Sequence, residues 1–392
     1  MYLNEGDVFN TEALKFSVRR INQLGYFKPI QGAPELKPSA KGEDSLDVTF
    51  KVEEQNRSQF SFGGGLSGLE GAFLNAGFQT SNFLGLGETL SLTAQTGTRS
   101  RVYQVAITEP YFLDKPITAG VDLYSRHIAY YGTLGRVGYI QGNAGIAVTS
   151  GFPVTKFSRV FATYANEIID IYGVDEEFVA TNKIQLQAGR QYESRITPAW
   201  VRNTTDNPHT PRSGTRNTAS FQYVGHPLGG TLNYYRPTLE SVFFQPVRKR
   251  MALGLRAEAS YIRPFWSTKE IPYYQRIFLG GENQIRGYNV RTIGPVDDAN
   301  TALGGNKHLL FNAEYYFDVF GPLRLLLFFD AGEAYLEGHP FNWRTLRTST
   351  GAEARFLMPV LNVPFRLIAA YNPNRDPTQP KAVLKFAVGT TF

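Results

Sequence analysis

The sequence predicts an all-β transmembrane fold, an antiparallel barrel of about 16 strands preceded by a partial α/β domain. Three observations predict it. From about Arg57 onward, apolar and polar residues alternate with period two through the whole remainder of the chain. The longest unbroken apolar run is five residues, Leu325–Phe329. A membrane-spanning helix needs roughly 20. Finally, no linker divides residues 58–392, and 335 residues shared among about 16 segments leave roughly 21 per strand and connection.

Residues 1–57 have a different texture. Asn10 is a suitable N-cap for a helix over Thr11–Leu24, with Leu14, Val18, Ile21 and Leu24 on one face. Gly25 then stands where a C-cap glycine would. A loop rich in Pro, Gly and Lys (Pro29–Glu43) leads to an alternating strand, Leu46–Val52. One helix and one strand cannot bury a core alone, so the segment reads as part of a small domain. The chain opens Met1-Tyr2-Leu3-Asn4-Glu5-Gly6-Asp7 without a basic-then-apolar segment, and this reads as a start inside a larger protein.

The clearest period-two runs are Thr89–Thr96, Arg101–Thr108, Ile117–Leu123, Ile184–Ala188, Ala252–Ala259 and Val383–Val388. One face is apolar; the other carries Gln, Thr, Gly, Arg, Glu and Lys. A soluble sandwich or propeller would need several such units with boundaries between them, whereas a closed sheet removes every edge and lets lipid solvate the apolar face. Aromatic clusters near strand ends suit interfacial girdles: Tyr111-Phe112, Tyr130-Tyr131, Phe243-Phe244 and Tyr315-Tyr316-Phe317. A mean hydropathy of −0.26 suits a polar lumen. Connections read as short at Leu113–Pro116 and Gly151–Lys156, longer at Arg195–Gly214, and longest at residues 264–305. So long a segment is usually functional, and its glycines and prolines mark it as turn-rich.

Composition excludes several chemistries. Without cysteine there is no disulfide, thiolate metal site or cysteine nucleophile. A net charge of +6 with scattered Lys and Arg does not make a nucleic-acid stripe. The five histidines, His127, His209, His226, His308 and His339, lack metal-ligand spacing. The carboxylate pairs Glu53-Glu54, Glu176-Glu177 and Asp297-Asp298 read as loop or strand-end charges, and no nucleophile elbow is present. No catalytic residue, cofactor or metal is therefore assigned. Gly63-Gly64-Gly65-Leu66-Ser67-Gly68 has the spacing of a dinucleotide fingerprint, but strand-like sequence follows it where a helix is required. It reads instead as a weakly packing first barrel strand, Phe62 to Gly65.

The strongest local signal is Leu279-Gly280-Gly281-Glu282-Asn283-Gln284-Ile285-Arg286-Gly287-Tyr288, within the long connection. The next two strands each place an acid on the polar face: Glu314 within Phe311–Tyr315, and Asp330 within Leu325–Gly332 on the same side as Arg324. If apolar faces lipid, both acids point into the lumen, and a loop folded inward can set Arg286 between them. The same residues also fit a solvated loop arginine and two ordinary lumen carboxylates.

Ile285-Arg286-Gly287-Tyr288 resembles the (V/I)-R-G-(F/Y) motif of the sixth extracellular loop in BamA-type outer-membrane assembly factors. Glu314 and Phe329-Asp330-Ala331-Gly332 stand at the positions of the barrel-wall acids that the motif arginine contacts in that family. The terminal run through Phe386, Val388, Gly389 and Phe392 is similar to the family's last strand, and Glu5–Phe27 resembles the middle of its final POTRA (polypeptide-transport-associated) domain. The resemblance implies a truncated last POTRA domain over residues 1–57 and an outer-membrane barrel over 58–392. It also implies insertion of other β-barrel proteins at the seam between first and last strands. The implied partners are unfolded outer-membrane barrel proteins, outer-membrane lipid and lipopolysaccharide, and accessory lipoproteins bound mainly through further POTRA domains. A TamA-like or two-partner secretion pore, or a passive channel, is the alternative.

Overall fold

The computed structural model describes residues 6–24, 34–39, 45–53, 58–83, 85, 87–131, 137–176, 179, 188–207, 210–297, 302–358, 363–377 and 379–388. Several readings made above lie outside the described residues: the Gly25 cap, Glu54, Glu177, Asp298, the strand onset over Ile184–Gln187, His209, Gly389 and Phe392.

The N-terminal segment holds helix α1 (Thr11–Leu24) and a two-stranded antiparallel sheet, Glu35–Pro38 against Leu46–Thr49. The Asn10 side chain accepts from the backbone N–H of Glu12 at 2.8 Å and of Ala13 at 3.3 Å, which satisfies helix donors that have no partner inside the helix. Leu14 is buried.

Sixteen strands then form a barrel: β1 (Ser58–Ser67), β2 (Gly71–Phe83), β3 (Glu88–Gly97), β4 (Ser100–Glu109), β5 (Thr118–Tyr131), β6 (Val137–Thr155), β7 (Ser158–Tyr172), β8 (Gly189–Asn203), β9 (Gly214–Val224), β10 (Tyr234–Arg248), β11 (Met251–Tyr261), β12 (Lys307–Phe320), β13 (Leu323–Tyr335), β14 (Arg347–Met358), β15 (Val363–Tyr371) and β16 (Ala382–Val388). Each pairs antiparallel with its sequence neighbour, and β16 lies beside β1 to close the sheet. A two-residue strand, Arg263–Pro264, adds to β10 beyond the end of β11.

Alternation sets which face each residue occupies. On β13, Arg324, Leu326, Phe328 and Asp330 are buried in the lumen, while Leu325, Leu327 and Phe329 are exposed on the outer face. The same rule corrects the girdle reading. Adjacent residues on a strand must face opposite ways, so Phe243 stays outside while Phe244 turns into the lumen, and Tyr316 turns inward beside Tyr315.

Two connections are shorter than their sequence suggests. The Arg195–Gly214 stretch is strand as far as Asn203, with Pro198 opposite Ala162. Gly151–Thr155 continues β6, with a register shift between Pro153 and Thr155 where the chain turns toward β7. A bulge of this kind lets a proline sit within a strand. The long connection between β11 and β12 is folded rather than open: Ile277 bridges Gly305, Leu279 bridges Ile293, and Val296 bridges Ala302. Leu279, Ile285, Tyr288 and Ile293 pack with Leu310 of β12 into a buried apolar cluster.

Candidate functional site

Four consecutive strands supply the wall on which the loop rests. Their register sets Asn312 opposite Asp330, Glu314 opposite Phe328, and Glu353 opposite both Leu326 and Ile368. Glu314, Asp330 and Glu353 are all buried in the lumen. The loop delivers Arg286 to the middle of this wall with its side chain fully buried.

Asp330 takes three bonds from Arg286: from the backbone N–H at 3.0 Å, from Nε at 2.8 Å, and from one terminal nitrogen at 2.6 Å. Nε and that nitrogen form the parallel fork that only a guanidinium offers a carboxylate. The other terminal nitrogen donates to Glu314 at 2.6 Å and to Glu353 at 3.0 Å. The guanidinium carbon lies 3.8 Å from the centre of the Phe328 ring. Burial on its own would disfavour the charge. The carboxylates of Asp330 and Glu314, with Glu353 behind them, hold the Arg286 guanidinium well above its ordinary pKa.

Sequence reasoning missed the other half of this network. Arg355 of β14 donates to Glu314 at 2.6 Å and to Glu353 at 2.5 Å, and Arg366 of β15 donates to Glu353 at 2.7 and 3.0 Å. Three guanidiniums thus face three carboxylates, and the cluster is neutral. Tyr316 donates to the second Glu314 oxygen, and Asn312 donates to Asp330 at 2.8 Å and to the Gln284 carbonyl at 2.7 Å. A buried charge cluster is tolerable only when each member is paired in this way. The available signal was the polar-face position of Glu353, Arg355 and Arg366. Their meeting point depends on register across three strands.

The rest of the motif supports the arginine. Ile285 is completely buried. Gly287 has φ of +93°, and a Cβ there would sit 2.3 Å from Asn372 Oδ1. Both facts require glycine. Burial pushes the Tyr288 hydroxyl up to about 12, so it remains a neutral donor to the Thr348 carbonyl at 3.2 Å. Farther along the loop, the partly buried Arg291 stands over Phe278 at 3.8 Å and Tyr130 at 4.5 Å, and donates to the Tyr139 hydroxyl at 3.3 Å. This aromatic anchor on the opposite wall was not foreseen.

The described seam residues lie on the first and last strands, apart from the Arg286 cluster. Phe62 is exposed on the outer face of β1, as is Phe386 on β16. Gly63 and Gly64 face β2, where added Cβ atoms would press on Asn75 and Leu74. Gly65 meets the last strand: a Cβ would lie 2.5 Å from Val388 Cγ2 and 3.1 Å from Phe73 Cζ.

Residues 82–392 match the Omp85 superfamily domain, and residues 1–55 match the POTRA model described as a surface antigen variable number repeat. The chain is 28% identical over 398 residues to the outer membrane protein assembly factor BamA of Nitratidesulfovibrio vulgaris, covering 100% of this chain and 48% of that protein. The chain spans about half the length of the curated relatives it matches. Among solved structures, BamA of Haemophilus ducreyi lacking POTRA domains 1–3 superposes with a TM-score of 0.80 at 20% identity, over 99% of this chain and 80% of that one. CdiB of Acinetobacter baumannii shares the fold at a TM-score of 0.64 and 11% identity, over 98% and 69%. The chain therefore belongs to the Omp85 superfamily, as a BamA-type integral outer-membrane barrel with its POTRA segment on the periplasmic side.

Proposed function

We propose that this protein inserts and folds other β-barrel proteins in the outer membrane, by letting an incoming strand pair with an edge freed at the β1–β16 seam. The observation that carries the reading is the glycine run at that seam. Gly63, Gly64 and Gly65 remove side-chain packing from the first strand, and Val388 of the last strand approaches Gly65. In this reading the outer face beside the seam matches the bilayer poorly and thins it, which lowers the barrier to insertion. The Arg286 cluster holds the loop against β12–β15 while the seam moves. Residues 1–57 are the last POTRA unit in this reading. Unfolded barrel proteins, outer-membrane lipid with lipopolysaccharide, and accessory lipoproteins are its partners.

The test uses the full-length parent protein in liposomes. An unfolded barrel protein is added, and its folding is followed by heat-modifiable gel mobility against empty liposomes. Acceleration over empty liposomes is expected, with loss of that acceleration in Arg286→Ala. A correctly folded protein that gives no acceleration but conducts steadily would favour a secretion pore instead.

A further inference from the structure

The latched loop touches both sides of the seam. The Glu282 side chain accepts the backbone N–H of Gly68 at 3.0 Å, in the turn that follows β1. Its own carbonyl accepts from Arg366 of β15 at 2.9 Å. Glu282 is buried and thus reaches from β15 to the β1–β2 turn, passing over β16. On β16, Lys385 Nζ donates to the carbonyl of Tyr288 at 2.8 Å. Packing supports the same contact independently: a Cβ at Gly68 would lie 2.6 Å from Val290 Cγ2, so the loop presses on that turn. The turn is tied onward, because Arg99, in the turn after β3, donates to the Gly68 carbonyl at 3.0 Å.

We propose that residues 282–288 form an internal strap that holds the first and last strands together, with Glu282 and Lys385 as its positioning residues. Arg286 lies within the same seven residues. The latch therefore carries the strap, and the seam opens when Gly68 and Lys385 come away from it while Arg286 stays on β12–β15. Both contacts involve a charged side chain against a backbone group, the stronger class of hydrogen bond. The inference rests on the seam reading above for its use, although the strap itself is a structural claim.

The test measures the seam directly. This chain has no cysteine, so Leu66→Cys and Leu384→Cys, with any cysteine outside it replaced by serine, give two spin-label sites on the outer face of β1 and β16. Distances are recorded by pulsed electron resonance in full-length protein in lipid, after heat-modifiable mobility has shown a folded barrel. One narrow, short distance is expected with the strap intact. Removing one contact, by Glu282→Ala or Lys385→Met, should raise the open fraction several-fold, and removing both should raise it by roughly an order of magnitude or more. Glu282→Gln keeps the acceptor for Gly68 and should restore the short distance, which a merely structural loss of charge would not do. Unchanged distances in both single variants would overturn the strap. If the variants open the seam while the unmodified protein fails to accelerate folding of other barrels, the insertase reading fails and the strap stands.

Discussion

Arg286→Ala is the sharpest perturbation of the cluster. Glu314 and Glu353 would each keep an arginine, through Arg355 and Arg366. Asp330 would lose the backbone-anchored fork and retain the 2.8 Å bond from Asn312, with no other ion pair among the described residues. The uncompensated charge therefore concentrates at Asp330. Breaking a buried pair from one side costs about 3–5 kcal/mol, and the ring contact with Phe328 adds to the upper end. Arg286→Lys should lose about half of that, since an ammonium keeps the charge but not the fork. The decisive assay is a double-mutant cycle with Asp330→Asn, read from urea unfolding midpoints in detergent and scored by heat-modifiable mobility. Asp330→Asn in the Arg286→Ala background removes the orphaned charge and should recover about 2 kcal/mol or more. Additive effects within about 0.5 kcal/mol would refute the claim that these two residues form the centre of the latch.

Three further outcomes follow from local geometry. Gly287→Ala forces a side chain into left-handed backbone and onto the buried Asn372, and should cost roughly 2–4 kcal/mol in the same unfolding assay. Gly65→Val places branched carbons against Val388 and Phe73, so cysteine cross-linking between neighbouring seam positions should slow markedly while the barrel stays folded. Arg291→Leu empties the aromatic cage and should cost about 1–2 kcal/mol locally, seen as faster protease cleavage in the loop with little change in the global midpoint.

The barrel was legible because period two is written along nearly every strand, and because the absence of any long apolar run leaves lipid-facing strands as the means of crossing. The loop arginine and two of its acids were legible too. The motif is contiguous, and Glu314 and Asp330 stand on the polar face of the strands that follow it. Glu353, Arg355 and Arg366 were not, because their role exists only once β13, β14 and β15 are in register, and no local pattern in the chain states that register. Arg291 escaped for a related reason: its partners Tyr130 and Tyr139 lie more than a hundred residues earlier. The two misjudged connections share a cause. Each holds a proline within a strand, Pro198 and Pro153, and a strand in a closed barrel tolerates proline where a bulge or the ladder geometry leaves no donor required.

The position of the charge cluster also bears on the order in which the barrel is built. Among the described residues, the ion pairs of Arg286, Arg355 and Arg366 join residues between 286 and 366, which belong to β12 to β15 and the loop before them. Contacts close in sequence form with less loop-closure entropy than distant ones. The C-terminal sector can therefore organise around its arginine as a cooperative unit, with β1 to β5 arriving later to complete the circumference. Pulse-labelled hydrogen exchange during refolding would show this as early protection of residues 307–371 and late protection of 58–131. The last event in building the wall is then closure of the same β1–β16 junction that we propose opens in the finished protein.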